Sequence, residues 1–478
     1  MATILSRSSG RSSEQWLWPL VFLILTVCGA FLLEGGYAHY EGQFFLVNYL
    51  DGRDLFRKIF SAHLNEWDCY QGRELSFFFG WLDAQFIRYS ARLGWVHLYS
   101  ITHFAGLFAL TLALWNALTR IFSSLERRDA GLIVVLLLTT PTALFSGYYY
   151  RPAKILAALF LSVVLLCIGR MREREWKVSA LSLIPLGGAA TLMGMSDRLG
   201  IYMLLLVIGV VTVAKPFDRA SVAIVGMLLA ALALNVLWST MIGPRLSAMA
   251  DGYSPDTVDQ IVRIRFTYLR REHYAPALAL LADHVKYFFG NFGLVSLIGS
   301  GCIAAAVIWR NRSTRAVVSA AVVIVATFAL YIAMYARLTS LIWPASTRVY
   351  YWLPQLVVLG VAAGFVMERS RQVFANARPV TTPLLGLLIA GNIISVPIHR
   401  AAIRSQEHRP WIEQSATLRE CVRQSETAVS TYHLDAPYAQ LCGSLRAAAA
   451  GTEWDRIPAA IPNPQLYCRF SGKGAARN

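Results

Sequence analysis

Charge is scarce in this sequence: 15% of its 478 residues are Asp, Glu, Lys or Arg, against about 25% in an ordinary soluble domain. The hydrophobic share is 56% and the mean hydropathy +0.47, and together these exclude a soluble globular protein. Several chemical signatures are missing as well. There is no Gly-x-x-x-x-Gly-Lys-[Ser/Thr] loop to cradle a nucleotide phosphate, which argues against ATP-driven transport within this chain. There is no Cys-x-x-Cys or His-x-x-x-His spacing, so a zinc site has little support. No apolar segment carries a central Asp or Glu pair of the kind that marks a proton or sodium relay, which weighs against a secondary transporter.

What the sequence has in abundance is long apolar runs. A membrane-crossing helix needs about 20 such residues, and eleven candidate spans can be read: 17–34, 99–118, 130–148, 153–169, 178–195, 199–214, 220–242, 288–309, 316–335, 349–367 and 380–397. The expected fold is therefore an all-α polytopic membrane protein. The first span is not read as a cleaved signal peptide, because Leu32, Leu33 and Glu34 stand where small residues would be needed.

The net charge of +16 is a topology signal rather than a nucleic-acid signal, and no nucleic-acid partner is expected. Lys and Arg gather in short alternate loops: Arg7/Arg11, Arg120/Arg127/Arg128, Arg170/Arg172/Arg174/Lys177, Lys215/Arg219, Arg310/Arg312/Arg315 and Arg369/Arg371/Arg378. The positive-inside rule places these in the cytoplasm. Segment 1–16 is then cytoplasmic, 17–397 is the membrane domain, and 398–478 is an outer C-terminal tail. Outer loops 35–98 and 243–287 are the other long exposed segments. A site is expected on this outer side, because the inner loops are too short to build one.

Cys28, Cys167 and Cys302 fall within spans, whereas Cys69, Cys421, Cys442 and Cys468 fall outside. Four outer cysteines in an oxidising compartment predict disulfides, with three possible pairings. Cys421–Cys442 and Cys69–Cys468 are the pairs expected. The first outer loop holds two stretches that read as interfacial helices. In 53–64, Leu55, Phe56, Ile59 and Phe60 share one face and Arg53, Arg57 and Lys58 the other. In 74–92, Leu75, Phe78, Phe79, Leu82 and Phe86 recur at helical spacing, with Asp83, Arg88 and Arg92 among them. Basic, aromatic amphipathic helices of this kind lie in the headgroup plane.

A carboxylate at such an interface has a chemical use, because it can take a proton from an acceptor hydroxyl. Glu41, Glu66, Asp68 and Asp197 are the candidates. Asp197 has two readings: a cap for the helix that follows the short turn Met195-Ser-Asp-Arg-Leu-Gly200, or an acid facing the outer cavity. Basic residues in short outer turns run against the positive-inside trend and need a reason. Arg151 and Lys154 follow three tyrosines, Arg198 adjoins Asp197, and Arg348 precedes Tyr350-Tyr351-Trp352. They either snorkel to headgroups or converge on a phosphate, for which Arg offers a bidentate fork. Loop 243–287 adds Arg263, Arg265, Arg270, Arg271 and His273.

This layout of a first span, a long acidic outer loop with interfacial helices and a bundle of about ten more spans resembles the GT-C superfamily of integral-membrane glycosyltransferases. Tyr40-Glu41-Gly-Gln-Phe-Phe45 is similar in placement to the first-loop acidic motif of the aminoarabinose and mannosyl transferases of that group. Glu66-x-Asp68 resembles their paired acids, and Gly72-Arg73-Glu74-Leu75-Ser76-Phe77-Phe78 resembles their basic residue ahead of an apolar helix. Tyr150-Arg151-Pro-Ala-Lys154 and Ser196-Asp197-Arg198 fall where such enzymes place phosphate and acceptor contacts. The resemblance spans roughly residues 15–370 as topology. The single Glu41 departs from the usual Asp or tandem pair, which leaves the base open between Glu41 and the 66–68 pair.

The resemblance implies a polyprenyl-phosphate sugar as donor and a glycan, lipid or protein as acceptor. It implies inverting transfer at the outer face of a bacterial inner membrane. Arg73, Arg151, Lys154, Arg198 and Arg348 would then meet the donor phosphate. No bound cofactor is required, although paired acids can hold a divalent ion. A polysaccharide polymerase or ligase, and a lipid-linked sugar flippase, are the alternatives.

Overall fold

The computed structural model describes residues 17–34, 40–50, 52–65, 72–95, 97–148, 151–197, 199–214, 218–251, 353–373, 378–403, 420 and 436–450. Among the described residues the chain is helical with no strand. The helices are α1 (Leu17–Glu34), α2 (Tyr40–Leu50), α3 (Leu55–Phe60), α4 (Ala62–Asn65), α5 (Glu74–Arg92), α6 (Ile101–Ile121), α7 (Arg127–Leu138), α8 (Pro141–Phe145), α9 (Ala153–Glu173), α10 (Ala180–Ser196), α11 (Leu199–Ala214), α12 (Arg219–Leu237), α13 (Gly243–Asp251), α14 (Leu353–Val373), α15 (Arg378–Ile403) and α16 (Ala436–Ala449).

Four stretches are long and apolar enough to cross a membrane: Ile101–Ile121, Ala153–Glu173, Arg219–Ala250 and Thr382–Ala401. Leu17–Phe31, Ala180–Ser196, Leu199–Thr212 and Leu353–Glu368 are shorter apolar helices. The chain is thus a helical membrane protein with four such helices among the described residues. The expected spans 288–309 and 316–335 lie outside those residues.

Three elements differ from the sequence expectation. The third span does not run unbroken over 130–148. It stops at Thr139–Thr140, where the Thr140 hydroxyl accepts from the Ala143 amide and Pro141 occupies the first turn of α8; proline suits that position because its missing N–H would have no helical partner. The seventh span does not end at Ile242, because a π-helical turn at Trp238–Ile242 carries it into α13. The 53–64 stretch is broken at Ser61, whose hydroxyl accepts from the Leu64 amide. One of its three basic residues also turns inward. Lys58 is buried and donates to the Asn48 carbonyl, while Leu55 and Phe56 are 38% and 41% exposed. The ammonium finds carbonyl partners inward, and the apolar pair is left outside.

Helix α5 forms as expected. Its inward face, however, is Ser76, Phe77, Gly80, Asp83, Ala84, Ile87 and Ser90. The stripe Leu75, Phe78, Phe79, Leu82 and Phe86 is its half-buried or exposed side, the side an interfacial helix turns to lipid.

The centre of the bundle is the α6–α9 pair. A Cβ on Gly106 would stand 3.2 Å from the Ile155 side chain, a tight contact that glycine relieves. With Gly106 beside Ile155 and Arg120 paired to Glu173, the two helices run parallel. Contacts sort the helix ends into two sets. One end joins Arg120 to Glu173, Ser124 to Glu368 at 3.1 Å, and the Trp115 indole to the Arg127 carbonyl at 2.9 Å. The other end sets Phe31 edge-on to Phe145 at 4.9 Å and places the Arg400 guanidinium over Phe31 at 5.3 Å. At this second end, helices α2, α5 and α16 pack together. Leu441, Cys442 and Leu445 of α16 are fully buried. Cys442 is disulfide-bonded, to a partner outside the described residues; Cys28 and Cys167 are free and buried.

Candidate functional site

Three helix starts meet at this second end, and each delivers one charged residue to the same place. Arg73 immediately precedes α5. Lys154 is the second residue of α9, which Pro152 starts without an amide to satisfy. Asp197 ends α10 and leads into α11. The turn that carries it is tight: a Cβ on Gly200 would stand 2.2 Å from the Met193 carbonyl oxygen, so only glycine lets the two helices follow each other so closely.

Asp197 binds both cations. Lys154 Nζ donates to Oδ1 at 2.7 Å, and Arg73 Nε lies 3.1 Å from Oδ2. The Arg73 contact is an ion pair whose N–H is not aligned for a hydrogen bond. The Leu199 amide also donates to Oδ1, at 2.9 Å. The cap reading of Asp197 is seen directly, since the carboxylate caps α11, and the same carboxylate also joins a charged cluster. The residue is 1% exposed and Lys154 2%. Burial pushes the Asp197 carboxyl up, but Lys154 and Arg73 outweigh burial and hold its pKa at about 2.

Two further charged residues lie beside this triad. Arg151 lies close enough to Lys154 to act on it electrostatically, and its guanidinium sits over the Phe45 ring of α2 at 4.6 Å. Glu74, next to Arg73, is buried as well. Three cations and two carboxylates thus lie close together among the described residues, with Lys154, Asp197 and Glu74 buried, and helix N-termini there add donors of positive polarity.

Of the other sequence candidates, Glu41 lies in the first turn of α2, but its side chain falls outside the described residues. Glu66, Asp68, Cys69, Arg198, Arg348, Cys421 and Cys468 also lie outside them. Among the described residues, no group of three His, Cys, Asp or Glu side chains is arranged to hold a metal ion.

One buried acid was not singled out from sequence. Asp83 of α5 accepts from the Ser100 hydroxyl, from the Thr102 amide at 2.9 Å and from the Thr102 hydroxyl at 2.7 Å, which fastens α5 to the start of α6. Burial raises its carboxyl to about 7 against those hydrogen bonds. The available signal was the Ser-x-Thr start of α6, which advertises a cap but not the remote carboxylate that receives it.

No family model matches the chain, and neither the curated proteins nor the solved structures yield a match.

Proposed function

We propose that this protein is a membrane glycosyltransferase that moves a sugar from a polyprenyl-phosphate donor to an acceptor on the outer face, in cell-envelope glycan or glycoconjugate synthesis. The observation that supports this is the Arg73–Asp197–Lys154 cluster with Arg151 beside it. A departing lipid phosphate gains negative charge as the glycosidic bond breaks, and fixed cations in a dry site stabilise that charge best. Asp197 is the positioning residue, because a carboxylate with a pKa of about 2 that is engaged by two cations is a weak proton acceptor. The base that deprotonates the acceptor hydroxyl is then Glu41 or Asp68, and a single displacement inverts the anomeric centre.

The test is transfer of radiolabelled sugar from polyprenyl phosphate in membranes containing Lys154→Met, Arg73→Met, Glu41→Gln or Asp68→Asn. Loss of turnover with each cation variant, and with one of the two acid variants, is expected. Full turnover in all four would remove the mechanism. The break at Thr139–Thr140 favours a second reading, a lipid-linked sugar flippase, because interrupted helices mark transport sites. Movement of labelled lipid across liposomes without sugar transfer would select it.

A further inference from the structure

The guanidinium of Arg151 rests on an aromatic face. Arg151 stands one residue before Pro152, at the start of α9, and its guanidinium carbon lies 4.6 Å from the centre of the Phe45 ring. That is within the range of about 6 Å over which the negative face of a ring attracts a cation. The attraction takes up none of the five N–H donors of the guanidinium. Binding a ligand through a long side chain costs the entropy of fixing it. A ring that already holds the guanidinium removes part of that cost beforehand.

Phe45 is itself well fixed. It is 5% exposed, on a helix whose Leu46 and Leu50 are 0% exposed and whose Tyr49 is 2% exposed. The Tyr49 carbonyl accepts from the Gln85 amide of α5 at 2.8 Å, and α2 packs against both α5 and α16. Helix α5 is also the one that Arg73 immediately precedes. The packing of α2 on α5 therefore links the place of Arg73 to the place of the ring that holds Arg151. Burial alone could be served by any apolar side chain at position 45, whereas holding a cation needs the ring.

We infer that Phe45 is a positioning residue, whose ring pre-sets Arg151 to meet the donor phosphate beside Arg73 and Lys154. The role rests on the proposed donor class, and the experiment separates the two claims. Full-length protein in nanodiscs is titrated with polyprenyl phosphate. Position 45 carries phenylalanine with none, one, two or three ring fluorines, which weaken the negative face step by step while the ring keeps nearly the same shape. The series is made with Arg151 in place and again with Arg151→Met. With Arg151 in place, affinity should fall stepwise to about fivefold weaker, in line with the usual strength of a cation–ring contact. With Arg151→Met it should start lower and stay flat along the series. Phe45→Tyr keeps the ring and should bind as wild type does, whereas Phe45→Leu should match the most fluorinated ring. Thermal denaturation checks that each variant folds.

A flat series with Arg151 in place would overturn the role. An equal decline in both backgrounds would show that the ring serves the packing of α2 and not Arg151, and would overturn it too. Binding by Arg151→Met as tight as wild type would take Arg151 away from the phosphate, with the same result. Each of these leaves the donor reading standing on Arg73 and Lys154. Failure of the wild type to bind polyprenyl phosphate removes both.

Discussion

Removing the Asp197 carboxylate strands two cations where water barely reaches. Breaking a buried pair from one side costs about 3–5 kcal/mol, so Asp197→Ala should lower the melting temperature in detergent sharply. Replacing Lys154 by Met in an Asp197→Leu background should recover much of the stability and none of the transfer. Asp197 and Asp83 also respond to pH with opposite signs. Asp197 is depressed from 3.8 to about 2, so its stabilisation is complete above about pH 4 and is lost as pH falls toward 2. Asp83 is raised from 3.8 to about 7, so its contribution is complete below about pH 4 and is lost as pH rises toward 7. Melting temperatures between pH 4 and 7 should therefore fall less steeply in Asp83→Asn than in wild type; an unchanged slope would contradict the burial of that carboxyl. At this scale the sequence showed Asp197 because it stands in a minimal turn between apolar runs. It did not show Asp83 because periodicity cannot tell which polar residue of an amphipathic helix turns inward. The partners of Asp83 are 17 and 19 residues away.

Helix starts and close helix contacts carry the next level of organisation. Asp218 and Ser221 cap α12 reciprocally, at 2.7 and 2.8 Å, and Thr140 caps α8 in the same spirit. Thr140→Ala should cost about 1 kcal/mol, a usual value for a lost cap, and Gly106→Val about 1–3 kcal/mol through overpacking against Ile155; thermal denaturation reads both. Hydropathy located the apolar helices, four of them long enough to cross a membrane among the described residues, because burial in lipid and burial in a bundle demand the same apolar residues. It ran straight through Thr139-Thr140-Pro141, because the apolar residues on either side continue across the break. It did not show that Lys58 turns inward, because the carbonyl that receives it comes from α2, and composition does not reveal tertiary partners.

Across the whole molecule, the two sets of helix ends frame a direct test of sidedness. A cysteine introduced at Arg53, exposed next to α3, should react with a membrane-impermeant thiol reagent in intact cells. One introduced at Arg174, exposed after α9, should gain label only after permeabilisation. The reverse pattern would invert the topology read from the loop charges. The expected topology rests on Lys and Arg alternating loop by loop, and a link between the first loop and the C-terminal tail was expected through Cys69 and Cys468, whereas the helix packing of α2 and α5 on α16 was not, since nothing local joins segments so far apart. Helices α2 and α5 bury a face against α16, and Ala436 follows Arg92 by 344 residues (436 minus 92). At about 5–20 residues per second of synthesis, roughly 17–70 s pass before the partner of that face exists. During that interval the first-loop helices lack the partner they pack against in the finished chain. The ribosome therefore sets the order of events: the face shared by α2 and α5 can close only after α16 has been made.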